Sequence, residues 1–215
     1  MLRYSKKADR IMKDKRETFK PIYDGIEKTL AELSVPLSFY SDMLKKGDDW
    51  SFIIKTHALI ESAITHLLVT ALKQPALQEI FPKLNISRKM DFVKSLGLLP
   101  PKHITFIKEL SELRNKLVHN VHNINFNFTK YFAALEKDDK QKLNSVLNSI
   151  GGIIRDLIIH LDNNSSKNQF VHVVRENPRF VILQGSIRII ARIYLHKIGY
   201  KISDQDSNRV NKKSK

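Results

Sequence analysis

Residues 106–121 read FIKELSELRNKLVHNV, and the spacing of their apolar side chains predicts an α-helix. At about 100° of rotation per residue, one set of apolar residues falls within an arc of about 80°. This set comprises Phe106, Leu110, Leu113, Leu117 and Val121. A stripe of this kind is typical of a helix that packs one side into a protein core. The stretch therefore indicates a protein built around packed helices.

The same helix has a second face of mixed character. Arg114, Asn115 and His119 fall within a separate arc of about 140° that also holds Ile107 and Val118. Apolar side chains beside Arg, Asn and His suit a surface buried against another copy of the chain better than a freely solvated surface. We therefore expect a homodimer.

Helices are predicted on both sides of this stretch. Asp48 and Asp49 supply an N-cap for a helix from about Trp50 to Lys73, which is apolar on most sides and therefore belongs in the core. Caps and helix breakers place further helices at residues 88–96 (capped by Ser87), 102–120, 138–160 and 178–199 (after an Asn177 cap). Seven glycines and seven prolines in 215 residues leave room for short connections only. The prediction is an all-α fold.

Three segments are not predicted to be helical. Residues 123–128 alternate Asn with Ile and Phe, which favours an anchored loop over an extended strand. Residues 162–168 are a polar linker, and Phe170 to Arg175 fits a short strand.

The whole chain is predicted to divide into four parts. They are a basic N-terminal helical arm (1–47), a helical domain (48–160), a linker with a C-terminal helix (161–200) and a disordered basic tail (201–215).

Composition excludes several kinds of site. The chain has no cysteine, which removes disulfides, cysteine-based zinc sites and a cysteine nucleophile. No spacing of His and carboxylates fits a metal site, and we expect neither a metal nor another cofactor. The first residues lack an apolar signal region and no run of 18 apolar residues occurs, so we expect a cytoplasmic protein without a membrane partner.

The charge balance indicates a polyanionic partner. The chain carries 37 Lys and Arg against 22 Asp and Glu, a net charge of +15. Such a charge attracts nucleic acid, here RNA, although it also serves solubility alone. The candidate nucleic-acid-binding residues are Lys6, Lys7, Arg10, Lys13, Lys15, Arg16, Arg188 and Arg192. A purely solvated face is the alternative for both groups.

The segment from Arg114 to His119 carries a family resemblance. Arg114 is followed by the polar Asn115, and His119 comes after four intervening residues. This pattern resembles the motif of the HEPN superfamily, an Arg, usually a polar residue, then a His on a late helix. With residues 56–63 (THALIESA), 94–99 (KSLGLL) and 110–115 (LSELRN), the chain looks like the branch that includes mannitol operon repressor-like proteins. The resemblance covers about residues 50–135.

The resemblance implies a HEPN-like helical bundle with N- and C-terminal helical extensions. It also implies a metal-independent endoribonuclease whose dimer joins two motifs in one cleft. The chemistry suits the residues, because Arg114 can hold the scissile phosphate while the imidazole of His119 can accept or donate a proton. Asn115, four residues before His119, can orient the imidazole or contact phosphate. A toxin or phage-defence component, with an antitoxin or regulatory partner, fits this activity.

Other interpretations remain open. The domain can be a non-catalytic RNA-binding or regulatory protein similar to the mannitol operon repressor-like relatives, or a helical scaffold. Arg114 can instead pair with an acidic residue, and His119 can be a satisfied interface histidine. Glu61 lies among apolar positions of the core helix and needs a partner, Arg114 or His57, either as an orienting group of the site or as part of a structural ion pair.

Overall fold

The computed structural model describes residues 20, 24–36, 38–45, 47–152 and 167–197. The basic cluster predicted between Lys6 and Arg16 and the predicted tail from Lys201 onward lie outside these residues. Every regular element within the described ranges is a helix, so the all-α prediction is confirmed.

The described α-helices are numbered here in chain order. They are α1 (residues 24–32), α2 (Ser38–Lys45), α3 (Asp49–Leu72), α4 (Ile86–Ser95), α5 (Pro101–Val118), α6 (Phe128–Asp138), α7 (Lys140–Gly152), α8 (Lys167–Glu176) and α9 (Pro178–Lys197). Short 3-10 helices cover Pro75–Gln78, Phe81–Lys83 and Val121–Asn125.

Helix α3 lies at the centre of the core. It packs along α9 and also against α5 and α4, and Ile53, Ile60, Ile64 and Leu68 are almost completely buried. Among the described residues, α3 alone is long and apolar enough to span a membrane, yet 56% of its most apolar window is buried inside the protein. This burial is compatible with a soluble protein whose core helix is α3, as the sequence predicts.

Several helices begin at side-chain caps, some of which the sequence indicates. The Asp48 carboxylate accepts the Ser51 N–H at 2.7 Å, and Pro178 begins α9 as predicted. The prediction of Ser87 as the cap of α4 is wrong, because Asn85 accepts the Arg88 N–H at 3.0 Å and the helix begins at Ile86. An Asn at the N-cap leaves Ser87 inside the first turn.

Three predictions about irregular segments are wrong. Residues 121–125 form a 3-10 helix, and Asn127, placed in the loop, caps α6 by accepting the Lys130 N–H at 3.2 Å. The strand predicted at residues 170–175 is part of α8, where Val174 is fully buried. Lys167 and Asn168, placed in the linker, also belong to α8. Packing of α8 on α7 and α9 overrides the strand preference of its valines.

Asp49 joins the beginnings of three helices. One of its carboxylate oxygens accepts the Phe128 N–H at the start of α6 at 2.8 Å, and the other pairs with Arg179 in the first turn of α9. Arg179 also donates to the Gly47 carbonyl at 3.1 Å. These bonds hold the N-terminal end of α9 against the N-terminal end of α3.

Candidate functional site

Helix α5 carries the Arg-Asn-His segment at its C-terminal end. Phe106, Leu110, Leu113 and Leu117 are buried, which confirms the core stripe for these four residues. The helix ends at Val118, and His119 is its C-cap, where the backbone N–H donates to the Asn115 carbonyl at 3.2 Å. Trp50 of α3 anchors this end, because its indole N–H donates to the Leu117 carbonyl at 3.4 Å.

The three motif side chains differ in their surroundings. Arg114 as a whole is partly buried, and its exposed Nη1 donates to the Asn115 Oδ1 at 3.1 Å. No carboxylate among the described residues lies within 4 Å of this guanidinium, so Arg114 is not neutralised by the acidic partner considered above. Asn115 and His119 are exposed, and the imidazole has no hydrogen-bond partner in the described part of the chain.

The mixed face of α5 is only partly a surface. Ile107, which we placed on it, is 1% exposed and belongs to the core. Ile107 is buried because this side of α5 packs against α3. Ser111, four residues after Ile107, hydrogen-bonds to His57 of α3. Val118 is 37% exposed and Ile124 of the following 3-10 helix is 52% exposed. Exposed apolar side chains therefore precede and follow His119 in the chain, at Val118 and Ile124.

A polar network lies between α3, α4 and α5 beneath Arg114. Lys89 is 2% exposed, and its ammonium donates to the Glu61 Oε1 at 2.8 Å. The other Glu61 oxygen lies 3.9 Å from the Nδ1 of His57, and the Nε2 of His57 lies 3.2 Å from the Ser111 hydroxyl. Since Ser111 donates to the Ile107 carbonyl at 2.7 Å, its hydroxyl accepts from His57.

Burial and charge together set the protonation of His57. Burial lowers the pKa of this imidazole, the Glu61 carboxylate raises it, and the nearby charges of Arg114 and Lys89 lower it further. Arg114 thus lies close to the network, but the partner of Glu61 is Lys89 rather than Arg114. Sequence reasoning missed Lys89, although its position between Ile86 and Val93 on the apolar stripe of α4 was a usable signal.

A cleft of about 290 Å³ runs between α4 and α5 and reaches the motif at Asn115. Polar side chains along it include Ser87, Lys94, Lys108 and Ser111. Lys94 and Lys108 are exposed, but Asp91 and Glu112 line the same cleft and Lys108 pairs with Glu112 at 3.9 Å, so the lining carries no net charge.

The predicted phosphate-binding residues of α9 are not near the motif. Arg188 and Arg192 lie close to His103, in the first turn of α5, and their charges act on its imidazole. His103 and His119 are separated by sixteen residues, about 24 Å of helix. The fold therefore places Arg188 and Arg192 at the opposite end of α5 from His119.

The burial of His103 predicts a loss of stability in acid. Burial, then the charges of Arg192, Arg188 and Lys102, lower its pKa to about 4 from 6.5. Below pH 6.5 His103 takes up a proton in the unfolded chain but not in the folded chain. The free energy of unfolding is therefore highest above pH 6.5 and falls as the pH decreases to about 4. Over this pH range the free energy of unfolding falls by about 3 kcal/mol.

Denaturant titrations from pH 7 to pH 4 measure this effect. We expect His103→Gln to flatten the fall in the free energy of unfolding, whereas His172→Gln at an exposed position of α8 leaves it unchanged. Equal slopes for wild type and His103→Gln would contradict the assignment.

Comparison with known proteins identifies no relative of this chain. No family model, no curated protein and no solved structure matches the chain. The interpretation of the site therefore rests on its own residues and on the motif that they form. Within the described ranges, no group of three His, Asp or Glu side chains is placed to hold a metal ion.

Proposed function

We propose that the chain is a metal-independent endoribonuclease of the HEPN type, acting in the cytoplasm as a homodimer with a composite site. One observation carries the proposal: Arg114 and His119 share the accessible C-terminal end of α5, and no carboxylate of the described residues neutralises Arg114. The net charge of +15 supports RNA as the substrate. A toxin or defence component with an antitoxin partner agrees with such an activity.

The reaction needs only these side chains. The 2′-oxygen of the RNA attacks the adjacent phosphorus, forms a P–O2′ bond and breaks the P–O5′ bond. One His119 accepts the 2′-hydroxyl proton, and His119 of the second copy donates a proton to the leaving 5′-oxygen. Arg114 binds the phosphate oxygens on which charge develops. The products are a 2′,3′-cyclic phosphate and a 5′-hydroxyl.

A second copy is part of the proposal because two histidines divide the two proton transfers. The apolar side chains of Val118 and Ile124, one residue before and five residues after His119, are exposed, which supports contact between copies around this part of the chain. The cleft between α4 and α5 gives the RNA backbone a path to Asn115, with Lys94 as a cationic contact along it.

Incubation of the purified protein with cellular RNA in EDTA tests the reaction class. We expect fragments that end in 2′,3′-cyclic phosphate and begin with a 5′-hydroxyl, from a protein that sediments as a dimer. Fragments that require added Mg²⁺, or that carry 3′-hydroxyl ends, would contradict the proposal.

A non-catalytic RNA-binding or regulatory HEPN protein is the second candidate. The observation that favours it is the His119 imidazole, which no described side chain orients. In the same assay this candidate predicts RNA that is bound and left intact.

A further inference from the structure

His119 lies in the middle of a short segment that one side chain closes. The amide of Asn123, in the 3-10 helix that follows α5, donates from its Nδ2 to the Lys116 carbonyl at 2.7 Å. The chain from Lys116 to Asn123 is therefore a loop whose two ends are joined by a hydrogen bond. This bond restrains the backbone of His119 at the point where α5 has ended.

The bond replaces one that a longer helix would make. In a continuing helix the N–H of Asn120 would donate to the Lys116 carbonyl. Asn120 instead has an extended backbone, with φ −139° and ψ 113°. The last carbonyls of a helix therefore need other donors. Asn123 supplies one to the Lys116 carbonyl, and the Trp50 indole supplies one to the Leu117 carbonyl.

The amide of Asn123 is placed by the backbone of its own 3-10 helix. The Asn123 N–H donates to the Asn120 carbonyl at 2.9 Å, and the Asn123 carbonyl accepts the Phe126 N–H at 2.9 Å. The Asn120 side chain also accepts the His122 N–H at 2.9 Å. Asn123 therefore reaches back to α5 from an ordered turn, which lowers the entropic cost of the bond.

The imidazole of His119 depends on this backbone for its position. It is exposed and has no hydrogen-bond partner among the described residues. Its backbone has two restraints, which are the bond from its own N–H to the Asn115 carbonyl at 3.2 Å and the loop that Asn123 closes. A displacement of about 1 Å in a catalytic group can reduce a rate by about 10².

We propose that Asn123 is a positioning residue for His119. By holding the Lys116 carbonyl, it keeps the end of α5 and the following turn in one conformation, so that His119 keeps one position relative to Arg114. The inference rests on the proposed ribonuclease, because the position of His119 affects a rate only if its imidazole transfers protons. Asn123 acts through the backbone and needs no contact with RNA.

Steady-state cleavage of RNA by Asn123→Asp tests the proposal. The aspartate has nearly the same shape, and its carboxylate has no N–H to donate to the Lys116 carbonyl. We expect kcat to fall by about tenfold while KM changes by less than about twofold. Asn123→Ala, which removes the donor without adding a charge, should lower kcat equally. The matched control is Asn125→Asp, which adds the same charge at an exposed position of the same 3-10 helix and should cleave as wild type does.

Hydrogen exchange of the His119 N–H tests the same bond without RNA. We expect this amide to exchange about fivefold faster in Asn123→Asp, which corresponds to the loss of one hydrogen bond. The amide of Ile60, buried at the centre of α3, should exchange as in wild type, because the whole fold keeps its stability. If wild type leaves RNA intact, the ribonuclease proposal fails, and this measurement still decides whether Asn123 holds His119.

Four results would overturn the proposal. They are a kcat of Asn123→Asp within about twofold of wild type, equal losses of kcat in Asn123→Asp and Asn125→Asp, a loss that appears in KM alone, and unchanged exchange of the His119 N–H in Asn123→Asp. A loss in KM alone would assign Asn123 to RNA binding instead of positioning.

Discussion

Arg114→Ala is expected to lower kcat/KM for RNA cleavage by about 10²–10³, the effect of removing one preorganised charged donor from a developing oxyanion. Arg114 is suited to this role because its hydrogen bond goes to the neutral Asn115 and no described carboxylate competes with phosphate. Arg114→Lys should recover part of the activity, since an ammonium keeps the charge and loses the bidentate geometry.

Steady-state cleavage of a fluorescent RNA measures this effect, and Arg88→Ala on the exposed side of α4 is the matched control. We expect the control to retain activity within about threefold, because it removes an equal charge at the surface. Equal losses in the two variants would assign the role of Arg114 to general electrostatic attraction and would contradict a role in catalysis.

Lys89→Ala is expected to lower the free energy of unfolding by about 2–3 kcal/mol. The substitution leaves Glu61 without its cation partner and opens a void where the lysine side chain was 2% exposed. The cost stays below that of breaking a fully buried pair, because Glu61 is 31% exposed and water reaches its carboxylate.

Urea denaturation followed by circular dichroism measures this difference. Lys94→Ala removes an exposed lysine from the last turn of the same helix and should change the free energy of unfolding by less than about 0.5 kcal/mol. If Lys89→Ala is equally neutral, the ion pair beneath Arg114 does not contribute to stability.

Most of the fold could be predicted because its signals are local. The Asp48 cap, the proline pair at Pro100 and Pro101, and the Asn177-Pro178 start each depend on a few adjacent residues. Helix α6 was missed because Asn127 looks like one more member of an alternating loop, although it is a cap. Helix α8 was missed because its β-branched valines favour a strand until α7 and α9 pack against them.

The candidate site was predictable only along one helix. The positions of Arg114, Asn115 and His119 outside the core stripe follow from helical rotation. The predicted helix to residue 120 is too long, because α5 ends at Val118 and His119 is its C-cap. The residues that other helices bring to the site could not be predicted from the sequence, because Lys89, His57 and Glu61 meet only when α3 and α4 are packed.

The central claim is that His119 is a catalytic residue of an RNA-cleaving site. The most direct measurement compares wild type, His119→Ala and His122→Ala in the RNA cleavage assay in EDTA, with RNA affinity measured in parallel. His122 is the matched control, because it is an exposed histidine three residues away. We predict that His119→Ala binds RNA as wild type does and produces no 2′,3′-cyclic phosphate, while His122→Ala cleaves normally. Undiminished cleavage by His119→Ala, or RNA left intact by all three proteins, would contradict the account.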